Sequence, residues 1–240
     1  MRRLVILTTL AVALAGARPA AGGSQGFDER CRAAMAPYYA ALLASARGDG
    51  EGTLRHLIVL RARWTNVQEA GDLPAWARDT ASGQPVLAAV SARIDAARRR
   101  ATARDVIGAH SDLESIRALL RDSRARAGVR TFDDAVSDYH EALERLSGRA
   151  GLHHEISLNA DDYAAIQDQA ARAAAAWAEI ASSPGRATKG GGWPALSQST
   201  EHIMATLRAA ASARDMDATQ IAAEALKTRY FELLALLARS

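Results

Sequence analysis

The sequence predicts an all-α protein built from antiparallel helical bundles. Three observations carry this. Apolar residues return every three or four positions through most of the chain, the spacing that lines one side of a helix. No stretch alternates apolar with polar residues as a half-buried strand does. The gaps between the runs hold helix-stop and helix-start residues, chiefly Gly, Pro, Asp, Thr and Asn. With 240 residues there is room for one large or two small domains.

The first residues stand outside that pattern. Arg2 and Arg3 precede an apolar run, Leu4 to Ala15, and Ala15-Gly16-Ala17 follows. A positive end, a short apolar core and small residues at the cut make a secretory signal. The run is too short for a stable membrane anchor. Residues 1–17 are therefore expected to be removed, leaving a periplasmic or secreted chain with no integral membrane segment, and 18–27 read as a linker.

The chain carries 30 basic and 27 acidic side chains. Loss of Arg2 and Arg3 leaves the two nearly balanced, so the basic pI is no argument for nucleic acid, and no nucleic-acid partner is expected. Arg98-Arg99-Arg100 is the one compact basic run and reads as a solvated helix end. Cys31 is the single cysteine. That excludes an intramolecular disulfide, a CxxCH haem attachment and a thiolate-rich metal site. Cys31 reads as a small buried side chain of the first helix.

In chain order, Asp28 is expected to cap a helix over 29–47, with Met35, Tyr39, Leu42 and Ala46 inward. Gly48-Asp49-Gly50 ends it. A second helix over 51–70 carries Leu54, Leu57, Ile58, Leu60, Trp64 and Val67, more than a narrow stripe, and should be well buried. Gly71, Pro74, Gly83 and Pro85 mark a loop, with Trp76 folded over a bundle end. Pro85 suits the first turn of a third helix, with Leu87, Val90, Ile94 and Ala97 inward. The apolar phase then shifts near 101–105, where Thr102 and Asp105 match a capping pattern. One long helix to about residue 127 reads nearly as well, but the shift favours a break there, followed by a run of Val106, Ala109, Leu113, Ile116 and Leu120.

Gly128-Val129-Arg130 is a turn, and Thr131 with Asp134 starts a helix over 132–147. Reflection about Val129 sets Arg117, Arg121 and Arg124 opposite Glu141, Asp138 and Asp134, which argues for antiparallel pairing. A loop follows to Leu158. Asn159 caps a helix over 160–182, and Ser183 to Gly192 is a glycine-rich connection. The last stretch, Trp193 to Leu237, forms two amphipathic helices around Arg214-Asp215-Met216-Asp217, with Asp217 and Gln220 as the start signal of the second. A faint duplication, Tyr39-Ala40-Ala41-Leu42 against Tyr139 to Leu143, suggests two tandem four-helix bundles, 28–127 and 131–239.

Within the hairpin 203–237, Leu207, Ala210 and Ala211 through Asp215, then Ala222, Ala223, Leu226 and Tyr230, resemble the last hairpin of the cytochrome b562 and cytochrome c′ bundles. The resemblance covers some 35 residues and implies an exported four-helix shape. The c′ attachment motif is absent, and helix 216–239 contains no His. A haem on the b562 pattern would need Met35 and His140 as its ligands, with 131–148 packed as the fourth helix of the first bundle.

The strongest polar constellation lies on the hairpin around Val129. His110 and Glu114 are four apart, as are His140 and Glu144, so each pair shares a helix side. Antiparallel pairing brings Glu114 towards Glu144 with a His one turn away along each helix. Facing carboxylates and imidazoles are how helical proteins hold Zn, Cu, Mn or Fe. The plainer reading pairs the carboxylates with Arg117 and Arg145 and leaves the histidines at the edge of the core. His153-His154-Glu155 is a second, weaker candidate. No phosphate loop, nucleophile elbow or HExxH occurs, so no enzyme is expected. The expectation is an exported, non-catalytic bundle that binds a metal or small ligand or serves a periplasmic partner. A ligand-free adaptor and a b562-like haem carrier are the alternatives.

Overall fold

The computed structural model describes residues 22–81, 84–151, 158–183, 187 and 191–239. Among them are eight α-helices: α1 (Gly22–Ala46), α2 (Gly50–Gln68), α3 (Val86–Thr102), α4 (Val106–Arg126), α5 (Phe132–Gly151), α6 (Ala160–Ser182), α7 (Trp193–Ala213) and α8 (Met216–Ala238). The protein is all-α. Between α2 and α3, where a plain loop was expected, lie a 3-10 turn (Ala75–Arg78) and a two-residue antiparallel pair, Thr80 opposite Pro85. The signal segment 1–17 and the His153-His154-Glu155 cluster lie outside the described residues.

Each helix packs on the next, α1 also packs on α4 and α8, and α5 also packs on α8. These neighbours define two layers, α2–α1–α8–α7 over α3–α4–α5–α6. Helices α1–α4 close one four-helix ring and α5–α8 another. A third ring, made of α1, α4, α5 and α8, joins them, and one apolar core runs through all three.

Position in the layers sets how much of each helix is buried. α1 is central, so Ala34, Tyr38, Ala41 and Ala44 are buried as well as the expected Met35, Tyr39 and Leu42. Ala46, expected inward, is exposed. α2 is a corner helix, and the expectation that it is well buried fails: Ile58 is 53% and Val59 45% exposed.

Four turns share one construction. Gly48, Arg104, Gly128 and Arg214 all have positive φ. The next residue's N–H reaches back to a carbonyl of the helix just ended: Asp49 to Ala44, Asp105 to Arg100, Val129 to Arg124 and Asp215 to Ala210. This is the Schellman closure, in which a left-handed residue lets two orphan carbonyls be satisfied. In three of the turns that next residue is an Asp whose carboxylate then accepts from the first turn of the following helix: Asp49 from Gly52, Asp105 from Gly108 and Asp215 from Ala218. The caps of α4 and α8 are therefore Asp105 and Asp215. The Thr102 start signal and the Asp217–Gln220 pair are not the caps. The break between α3 and α4 lies where the apolar phase shifts.

Two ends differ from expectation. α1 starts at Gly22, so Asp28 lies inside it and the expected linker is helical from there. Phe27 is buried edge-on against Trp76, with ring centroids 5.4 Å apart, which supplies the packing that keeps this first part of α1 helical. α5 continues to Gly151, past the expected end at 147, because Ala150 also finds a buried place.

Candidate functional site

The polar centre of the molecule lies in the ring of α1, α4, α5 and α8. Leu113, Ile116 and Leu120 point α4 into the core, and Arg117 follows on the flank of that stripe. Its side chain is only 7% exposed. One guanidinium nitrogen donates to the Tyr230 hydroxyl of α8 at 2.5 Å, and another pairs with Glu114 one turn back. Tyr38 of α1 lies close by and donates its hydroxyl to the Leu113 carbonyl at 3.1 Å. A buried guanidinium is tolerated only when its donors are paired, and Glu114 and Tyr230 supply the partners.

Two imidazoles complete the cluster. His110 Nε2 stands 3.5 Å and His140 Nε2 3.6 Å from the Glu114 carboxylate. Ser45 of α1 spends its hydroxyl proton on the Leu42 carbonyl, so the 2.8 Å contact with His110 is an Nδ1–H donated to Ser45 Oγ. The His140 ring lies over Tyr230, with centroids 4.7 Å apart. Burial, with repulsion from Arg117 next, lowers the pKa of His110. His140 is held at about 2 by burial first, then by Arg117, His110 and Lys227. Glu114 alone would favour an imidazolium, but Arg117 already neutralises it. Both histidines are therefore neutral at ordinary pH.

The cluster is reached through a groove between α4 and α5. Glu114, Arg117, Arg121, Ser137, His140 and Glu144 are among the walls of a pocket of about 260 Å³ there. The packing pattern explains why it opens on this side. Replacing each helix by the one four places later exchanges the two layers, as a two-fold axis through the central ring would. The N-caps follow that relation, Asp49 with Asn159 and Asp105 with Asp215. So do the pairs Glu114–Arg117 and Glu224–Lys227. Tyr39 and Tyr139, the match visible in the sequence, are out of this register. Under the relation, the α1–α8 and α4–α5 seams are equivalent. The first is closely packed and the second is not.

The residues singled out from sequence meet only in part. His110, Glu114 and His140 come together. Glu144 lies on the groove wall but turns to Lys227 at 3.2 Å. Among the described residues, no group of three or more His, Cys, Asp or Glu side chains is arranged to hold a metal ion. The local reason is that Arg117, a cation, occupies Glu114. Of the three reflected ion pairs, Arg121–Asp138 and Arg124–Asp134 form, while Arg117 chooses Glu114 over Glu141. Of the Met35–His140 pair, Met35 is buried in α1 and His140 lies on α5; the two helices share the central ring, while the fourth helix of the first ring is α4 rather than α5. The sequence pairs Arg117 with a carboxylate of the hairpin around Val129 and gives no sign that Tyr230 meets it. The paired Glu-x-x-basic spacing on α4 and α8 was the available signal.

No protein-family model, no curated protein and no solved structure matches this chain. None of the described helices is long and apolar enough to cross a membrane.

Proposed function

We propose that this is an exported, non-catalytic binding protein that holds a small polar molecule bearing an anionic group in the α4–α5 groove. The observation that carries the reading is Arg117, a buried guanidinium at an open groove whose counter-ion, Glu114, is itself 28% exposed. An incoming carboxylate or phosphate takes the place of Glu114, which swings towards solvent, and the guanidinium keeps a charge-assisted partner throughout. Neutral His140 offers the ligand a hydrogen bond without a competing charge. A metal is the weaker occupant, because it must first expel Arg117 from Glu114.

The test is native mass spectrometry with metal analysis on protein recovered from the exported fraction. A small-molecule adduct that is lost in Arg117→Met is the expected result. Stoichiometric metal lost in His140→Ala would replace this reading with the metal one. Neither adduct nor metal would refute ligand binding and leave the interaction module.

A further inference from the structure

A second feature is independent of the groove. The solvent side of corner helix α2 carries Arg55, Ile58, Val59, Ala62 and Arg63. Their spacing puts them on one helix face, and that face has two exposed branched apolar side chains at its centre. Neither Arg55 nor Arg63 forms an ion pair with a described carboxylate. Neighbouring α3 adds Arg99, also exposed, and Arg98, which shares the carboxylate of Asp95 with Arg61 at 3.4 and 3.2 Å. Arg93 and Arg100 turn the other way, to Asp112 and Asp105 of the α4 side. Helices α2 and α3 together hold seven arginines against Glu51 and Asp95, a net +5. The whole chain carries +3, so everything outside these two helices sums to −2. The near-balance of the sequence hides a polarised molecule.

We propose that the α2–α3 corner docks on an anionic phospholipid surface. Ile58 and Val59 enter the headgroup boundary, and the flanking arginines lay their stems along the apolar layer while their guanidiniums meet phosphates. Three arguments select this occupant. A second copy would pair α2 with α2 about Val59 and set Arg55 against Arg63 of the other chain, like charge on like. A protein partner would be expected to find an aromatic anchor, since interface cores are rich in Tyr and Trp, and this face has none. Single-stranded nucleic acid needs stacking rings, and they are equally missing.

The test is co-sedimentation of the full chain with phosphatidylcholine vesicles, with and without added phosphatidylglycerol. Binding is expected only with the anionic lipid and should fall steeply with salt. Each arginine removed from the set Arg55, Arg63 and Arg99 should weaken it about fivefold. A fluorophore sensitive to its surroundings, placed through Ile58→Cys, should shift to shorter wavelength on binding and report this face alone, whatever the N-terminal run does. Cys31, half-buried in α1, is replaced through Cys31→Ser in the labelled protein, so that the probe sits at one position. Three results would each overturn the proposal: equal binding to neutral vesicles, arginine variants that bind like the parent, or no fluorescence shift. So would displacement by soluble polyglutamate with no effect of Ile58→Ser, which would mark the face as a reader of acidic proteins.

Discussion

His140 makes acid a specific destabiliser of this fold, and His140→Phe should remove that sensitivity. The folded-state pKa is about 2, against about 6.5 for a free imidazole. Between those values the unfolded chain binds the extra proton and the folded one does not. Stability from this group is therefore fully present above about pH 6.5 and falls as the pH drops, by about 1.36 kcal/mol per unit. At pH 5 the cost reaches about 2 kcal/mol. The side chain is only 18% exposed, so solvent does little to screen it. Phenylalanine keeps the ring over Tyr230 and the volume against α8, and it has no proton to gain. Urea unfolding of both proteins at about pH 7.5 and pH 5 isolates the difference, because every other ionisable group is common to both. The parent should lose about 2 kcal/mol more than the variant. Equal acid losses would show that His140 is charged or solvated in the folded protein, and the account of a dry, neutral imidazole beside Arg117 would fail.

Arg117→Met should cost about 2–3 kcal/mol, mainly by leaving the buried Tyr230 hydroxyl without a partner. Adding Tyr230→Phe should return about 1–2 kcal/mol of it in the same denaturation assay. Arg104→Gly should raise stability by about 0.5–1 kcal/mol, since a left-handed arginine is strained and glycine is not, even after its greater unfolded freedom. Arg214→Gly should gain less, because Arg214 lies over the Tyr163 ring at 5.0 Å. Phe27→Ala should cost about 3–5 kcal/mol and change Trp76 fluorescence; an unchanged melting curve would mean that the first turns of α1 are not packed as described.

Helix existence was legible because it is local. Each amphipathic run and each polar break is written in a few neighbouring residues, and Asn159 caps α6 as expected, with Asp162 completing a capping box. Burial was not local. α1 and α2 exchanged their expected roles because alanines such as Ala34 and Ala41 look weakly apolar yet suit a helix surrounded by others, whereas Ile58 and Val59 look like core and face water. Only the order of helices in the layers decides which of the two is central. The candidate site was half legible for the same reason. The helical spacing of His110 with Glu114 and the antiparallel α4–α5 turn were visible, so the cluster of His110, Glu114 and His140 could be anticipated. Tyr230 and Lys227, which bind Arg117 and Glu144, come from α8, 113 and 83 residues further along the chain and beyond two other helices.

Side-chain size explains why one of two equivalent seams closes and the other opens. Interaxial distance follows the side chains at the contact. Buried alanines do not separate the two seams, since α4 and α5 carry Ala109, Ala135, Ala142 and Ala150 beside those of α1 and α8. The α4–α5 seam, however, is spanned by arginine–carboxylate pairs, Arg121 to Asp138 and Arg124 to Asp134. Such long side chains bond end to end and hold their helices apart. The groove over Arg117 is thus a consequence of what bridges α4 and α5. Shortening the bridges, as in Arg121→Ala with Asp138→Ala, should let the seam close, shrink the pocket and expel whatever Arg117 holds, while helical content stays the same. A double variant that kept the parent's pocket, or the adduct proposed for Arg117, would mean that the cavity is maintained by something other than these ion pairs.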